Sequence, residues 1–212
     1  AAVRVLWARG IRDRAAAHRF LQPTLADLHD PYLLADMDRA VPRLQRAIQS
    51  KEKILLYGDY DVDGTSSVVL LTTVIRLLGG DVSYHVPHRL KDGYGMRSEV
   101  VEDAAERGVS LIVSVDTGIR ANAVVEHARV LGIDTIVTDH HLPETELPPA
   151  VAVLNPNRPD CGYPEKNLCG AGVAFKLAWA LCQRASQSKK VSEPMRNYLL
   201  TAVGLAAIGT VA

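Results

Sequence analysis

Cysteine is scarce in this 212-residue chain: there are three, Cys161, Cys169 and Cys182, and no CxxC spacing. An odd number without paired spacing argues against a disulfide framework or a thiolate zinc site, and the expectation is reduced thiols in a cytoplasmic protein. Aromatic residues make up only 5%, so stacking surfaces for single-stranded bases are few. A charge excess is missing too, because 24 basic and 24 acidic residues cancel. No global field draws the chain to nucleic acid, and such a partner would be held by local patches, metal ions or parts of a longer protein. No signal peptide and no apolar run of membrane-spanning length is present, so no membrane partner is expected. Internal repeats and low-complexity tracts are absent as well. The chain opens on Ala1 rather than Met and stops at Ala212 inside an apolar segment, and both ends are expected to be cuts in something longer.

What is present is a core-forming composition, with 48% hydrophobic residues and a mean hydropathy of +0.03. The first fifty residues read as helical. Between Pro31 and Ile48, the apolar residues Leu33, Leu34, Met37, Val41, Leu44 and Ile48 recur at spacings of three and four, the period of an amphipathic helix. Arg4, Arg9, Arg12, Arg14 and Arg19 make the N-terminus basic, which suits a solvated helix face as well as a nucleic-acid patch. After Ser50 the pattern changes to short β-branched runs, at 54–57, 82–86, 111–115, 135–138 and 151–154. Helical stretches at 65–78, 98–107 and 121–131 lie between them, and two more follow at 171–184 and 193–207. Strand and helix alternating at this spacing predict an α/β fold, a parallel sheet with helices on both faces.

In open parallel sheets ligands bind at the carboxyl ends of the strands. The first expected strand is followed by Gly58-Asp59-Tyr60-Asp61-Val62-Asp63-Gly64-Thr65, the third by Asp116-Thr117-Gly118, and the fourth by Asp139-His140-His141. Five carboxylates and two imidazoles are thus delivered to one sheet edge. Clustered carboxylates raise one another's pKa unless cations sit among them. Oxygen ligands with one or two histidines suit Mn²⁺ or Mg²⁺, and a carboxylate shared by two such ions is the arrangement used for attack on phosphoesters.

Other readings of the first loop are weaker. Asp59-x-Asp61-x-Asp63-Gly64 also opens a calcium-binding EF-hand loop, but the twelfth position is Leu70 rather than Glu, and strand and helix flank it. Asp61-x-Asp63 is compatible with a haloacid-dehalogenase-like nucleophile motif, which the later Asp-His-His does not continue. A polar turn that merely caps the next helix remains open for this loop, although it leaves Asp116 and Asp139-His140-His141 without explanation.

Taken together, Gly58-Asp59-Tyr60-Asp61-Val62-Asp63-Gly64, the lone Asp116 and Thr138-Asp139-His140-His141 resemble the first three motifs of the DHH-family phosphoesterases. Val86-Pro87-His88-Arg89 with Asp92-Gly93-Tyr94-Gly95, Asn155-Pro156-Asn157, 170–175 and 208–212 resemble its RecJ-type exonucleases in particular. The resemblance implies a Rossmann-like DHH catalytic domain over 51–212, preceded by a helical segment over 1–50. It further implies two ions, Mn²⁺ or Mg²⁺: Asp63, Asp116 and His140 on one, Asp61 and the shared Asp116 on the other, with Asp59 ligating or orienting. His141 would face the scissile phosphate, Asp139 would orient the histidines, and Arg89 would contact phosphate or pair with Asp92. Gly170 and Gly172 would let a helix start approach the substrate. The implied activity is 5′→3′ exonuclease hydrolysis of single-stranded DNA in repair and recombination, with single-strand-binding protein and a helicase as partners.

Two departures stand out. Some relatives carry a histidine ligand where Tyr57 stands, which would weaken the first metal site. The family's fourth-motif Asp would follow Ala212, and its DHHA1-type and OB-fold domains lie beyond. The 212 residues alone are therefore expected to bind metal poorly and to show little nuclease activity. A DHH phosphodiesterase for short oligonucleotides or cyclic dinucleotides is the alternative enzyme. A metal-free binding module is the alternative of another class, disfavoured because every motif acid in range is present.

Overall fold

The computed structural model describes residues 2–91 and 93–212, without the side chain of Leu25. It falls into two compact units, Ala1–Asp30 and Pro31–Ala212. The smaller carries helices α1 (Ala2–Ala8) and α2 (Arg14–Leu21), the latter capped by Asp13, whose carboxylate accepts from Ala16 N at 2.8 Å.

The larger unit begins with α3 (Met37–Gln49) and then alternates: β1 (Lys53–Tyr57), α4 (Val62–Leu77), β2 (Asp81–His85), α5 (Ser98–Glu106), β3 (Val109–Val115), α6 (Asn122–Val130), β4 (Asp134–Thr138) and β5 (Ala152–Leu154). Helices α7 (Gly170–Ala185) and α8 (Glu193–Val211) complete it. All pairings are parallel and the strand order is β2-β1-β3-β4-β5. The expected α/β sheet is therefore present.

Strand periodicity sorts the core onto two faces. Ile54, Leu56, Leu111, Val113, Ile136 and Leu154 pack into one cluster with residues of α3, α4, α7 and α8. Leu55, Tyr57, Ile112, Val137 and Val153 point the other way, into a cluster with α5 and α6. The order reverses direction between β1 and β3, since the chain leaves β1 first to β2 and then to β3 on its other side. Such a switch point opens a crevice at the strand ends, and here it lies between the 59–63 loop and Asp116.

Helix α3 belongs to the larger compact unit, with Met37, Ala40, Val41, Leu44 and Ala47 buried in its core. Two expectations are corrected. The helix expected from Pro31 is interrupted: a 3-10 turn (Pro31–Leu33) is followed by Asp36 in the left-handed region at φ 63. The Asp36 carboxylate is drawn off by distant partners, accepting from Val153 N at 3.1 Å and Arg158 Nη1 at 2.7 Å. Finally, α4 starts at Val62 rather than 65, because Asp61 caps it by accepting from Gly64 N at 2.8 Å.

Candidate metal centre

β1, β3 and β4 are neighbours in the sheet, so the segments that leave them converge. Asp59 is buried and accepts from Tyr60 N at 2.7 Å. Asp61 has one oxygen on the start of α4, so the capping role open in the sequence is real for this residue. It is not its whole position: one ligand atom each from Asp59, Asp61 and Asp116 lies within 4.8 Å of the others. A second such group joins Asp116 to His140 and His141. Asp116 is common to both.

Asp116 is held in an unusual way. Only 1% of its side chain is exposed and its φ is 60, a left-handed backbone that non-glycine residues adopt sparingly and that gathers at functional sites. The start of α7 presses against it: a Cβ at Gly170 would lie 2.7 Å from both Cβ and Cγ of Asp116. His140 Nε2 lies 3.1 Å from Asp116 Oδ1, an ion-pair distance. The two are not aligned as a hydrogen bond, and Asp116 Oδ1 has no hydrogen-bond partner among the described residues. A buried carboxylate oxygen without a partner carries a desolvation penalty that a cation would relieve.

Burial raises the Asp116 carboxyl to about 7, with the like charges of Asp63 and Asp61 adding to the rise and His140 opposing it. Burial likewise raises Asp59, helped by Asp61. Contact with Asp116 raises His140, and contact with Asp139 raises His141. Asp139 goes the other way: burial would raise it, but hydrogen bonds from His141 and from Ile119 N outweigh that and hold it below the usual carboxylate range. Its Oδ1 accepts from His140 N at 2.7 Å and meets His141 Nδ1 at 2.7 Å, and its Oδ2 accepts from Ile119 N at 2.9 Å. Asp139 thus orients the histidines.

The remaining sequence candidates are placed as follows. Asp63 sits in the first turn of α4 with Oδ2 3.6 Å from His140 Nε2. Its two oxygens accept from Gly170 N and Ala171 N, each at 2.6 Å. The first two N–H groups of α7 therefore serve Asp63, while Gly172 N donates to Cys169 Sγ at 3.2 Å. Arg89 is exposed, its guanidinium 5.3 Å from the centroid of the Tyr60 ring, beside Asp59. Asp92, the other partner considered for it, lies outside the described residues. Tyr57 is fully buried and its hydroxyl donates to Gly95 O at 3.3 Å.

Three contributors had no role assigned from sequence. The Tyr94 hydroxyl lies 3.3 Å from His141 Nδ1, and its ring borders a 520 Å³ cleft that also reaches Met96, Ile119, Val124 and His141. Asn155 and Asn157 bond to the main chain of the two histidines. Their presence in the quoted Asn-Pro-Asn stretch was the only signal for them.

The donor set fits hard divalent ions: carboxylate oxygens with imidazole, no thiolate within either group, and a buried unpaired oxygen at the shared position. Among the described residues no helix is long and apolar enough to cross a membrane.

The chain is 44% identical over 173 residues to the single-stranded-DNA-specific exonuclease RecJ of Bacillus subtilis, covering 82% of this chain and 22% of that protein. It is 42% identical over 216 residues to the protein of the same name from Escherichia coli, covering 99% of this chain and 36% of that one. The crystal structure of RecJ in complex with Mn²⁺ from Thermus thermophilus superposes with a TM-score of 0.76 at 34% identity, over 98% of this chain and 27% of that one. The chain thus spans about a third or less of the length of these relatives. Residues 53–208, from the first strand to the last helix, match the family model described as the DHH family, N-terminal domain, and the chain belongs to the DHH family.

Proposed function

We propose that residues Pro31–Ala212 form the catalytic core of a metal-dependent phosphodiesterase acting as a 5′→3′ exonuclease on single-stranded DNA. The observation that carries this reading is Asp116: a buried carboxylate at the sheet's switch point, with one oxygen lacking a hydrogen bond and only His140 at ion-pair distance, common to two groups of candidate ligands. Similarity to RecJ exonucleases supports the choice of substrate. On this reading Asp63, Asp116 and His140 would hold one ion, Mn²⁺ or Mg²⁺, and Asp61 with the shared Asp116 would hold the other, with Asp59 ligating or orienting. Bound divalent ions supply charge stabilisation on phosphate oxygens and lower the pKa of water.

The chain's own residues do the rest. Asp139 fixes His141 through Nδ1 and raises its pKa, which favours the protonated ring as a partner for the phosphate. Arg89, braced on Tyr60, supplies a second cationic contact. The start of α7 turns two N–H groups on Asp63 and offsets its negative charge beside Asp116. The role assigned is DNA repair and recombination in the cytoplasm, alongside single-strand-binding protein and a helicase.

The test is Mn²⁺-dependent release of mononucleotides by the full-length protein from 5′-labelled and 3′-labelled single strands. Early release of the 5′ label is expected, with at least a hundredfold loss, on the order of 10²–10³, in Asp116→Ala. Hydrolysis unchanged in that variant would remove the metal assignment, and early release of the 3′ label would reverse the polarity.

A further inference from the structure

Beyond the ligands themselves, we infer that the Asn155-Pro156-Asn157 turn is a positioning device for the two histidines, setting metal affinity through their main chain. This rests on the metal-dependent reading above. The chain leaves β4 at Thr138, and Asp139 N still bonds across to Leu154 O at 3.0 Å. Past that point β5 has ended, and no strand is left to hold His140 and His141. Side-chain amides take over. Asn157 Nδ2 donates to His140 O at 2.6 Å, and Asn155 Nδ2 donates to His141 O at 2.8 Å. Each amide thus grips one histidine carbonyl.

The turn is itself rigidly tied. Asn155 is fully buried, and its Oδ1 accepts from Asn157 N at 2.7 Å. The two bonds together settle which way the amide faces, since the opposite orientation would set its NH₂ against Asn157 N–H and its oxygen against His141 O. Arg158, 6% exposed, donates to Val153 O at 2.5 Å and to Asp36 Oδ2 at 2.7 Å, and it pairs with Asp160 at 2.6 and 3.0 Å. Lys166 Nζ donates to Pro156 O and Cys161 O, both at 2.7 Å. The histidine main chain is therefore referenced to β5 and to the start of α3, outside the acidic cluster. Outer partners of this kind matter because ligands displaced by a fraction of an ångström lose their geometry.

Asn157→Ala and Asn155→Asp in the full-length protein test this. Asn157 is half-buried, so its variant tolerates the loss of the amide. Asn155→Asp keeps the acceptor for Asn157 N but sets a carboxylate oxygen against His141 O at a buried position, so Asn157→Ala is the cleaner of the two. Mn²⁺ binding is measured by calorimetry, and KM and kcat on a single-stranded oligonucleotide are measured at limiting and excess Mn²⁺. The expected result for Asn157→Ala, which loosens His140, is Mn²⁺ affinity weakened about tenfold or more, KM unchanged, and kcat that falls at limiting Mn²⁺ but recovers in excess; for Asn155→Asp, which loosens the phosphate-facing His141, a loss of kcat/KM that persists in excess Mn²⁺ is expected. An unchanged Mn²⁺ isotherm in folded Asn157→Ala overturns the role, as does a loss of kcat in that variant that no Mn²⁺ concentration restores. If the unaltered protein takes up no Mn²⁺, the metal-dependent reading itself fails, and the unaltered control separates that failure from this one.

Discussion

A carboxylate that is buried, left-handed in its backbone and pressed by a helix start is an expensive residue for a fold to keep. Asp116 combines all three, and its neighbours shift with it. Asp59 and Asp116 titrate above the ordinary carboxylate range, and His140 and His141 above the ordinary imidazole. A group whose folded-state pKa is raised stabilises the fold below its unfolded value and loses that contribution as pH climbs through the folded value. For Asp116 the window runs from 3.8 to about 7. Asp139 and Asp36 act in the opposite sense, being lowered, so their contribution is present above 3.8 and lost as pH falls. The metal-free protein should therefore become less stable at this site between weakly acid and neutral pH. Mn²⁺, which competes with the same protons, should stabilise it more as pH rises from about 6 to about 8. Thermal unfolding with and without Mn²⁺ measures this. A shift larger by several degrees at the higher pH is expected, given that about 1 kcal/mol moves Tm by about 2–4 °C at this chain length; an equal or smaller shift contradicts the assignment. The identities of these residues were readable from their place after apolar strands. Asp116's backbone conformation was not, because Gly170, which packs against it, lies far along the chain.

At the scale of elements, strands were readable wherever β-branched and aliphatic runs are buried on both faces, as in β1, β3 and β4. Helices were less so where a tertiary partner decides their ends. The periodicity from Pro31 to Ile48 is genuine, yet Asp36 breaks it because its carboxylate is taken by Val153 and Arg158, 117 and 122 residues away. No local pattern carries that information. The start of α7 is a similar case. Gly170 and Ala171 look like an ordinary apolar opening, but their N–H groups serve Asp63, and Gly170 has no room for a side chain. Gly170→Ala should push α7 and Asp116 apart, destabilising the protein by about 1–3 kcal/mol as overpacking does and weakening Mn²⁺ binding with it. Chemical denaturation and Mn²⁺ calorimetry on the same preparation check both. A variant of unchanged stability and affinity would show that the close approach of α7 is not needed.

For the molecule as a whole, the decisive feature is strand order. Because β1 lies between β2 and β3, the crevice opens where the 59–63 loop and Asp116 face each other, and β4 adds the histidines alongside. Sequence spacing showed that acids follow strands, but which strands are neighbours is fixed only by packing, with α3, α4, α7 and α8 on one face and α5 and α6 on the other. The carboxylates gathered in the crevice oppose a phosphate until cations have entered among them. Anomalous diffraction at the manganese edge, from crystals of the full-length protein grown with Mn²⁺, tests this most directly. Two peaks about 3.5–4 Å apart, with Asp116 bridging them and His140 beside one, are predicted. No peak at this strand edge, or peaks that Asp116 does not touch, would contradict the account.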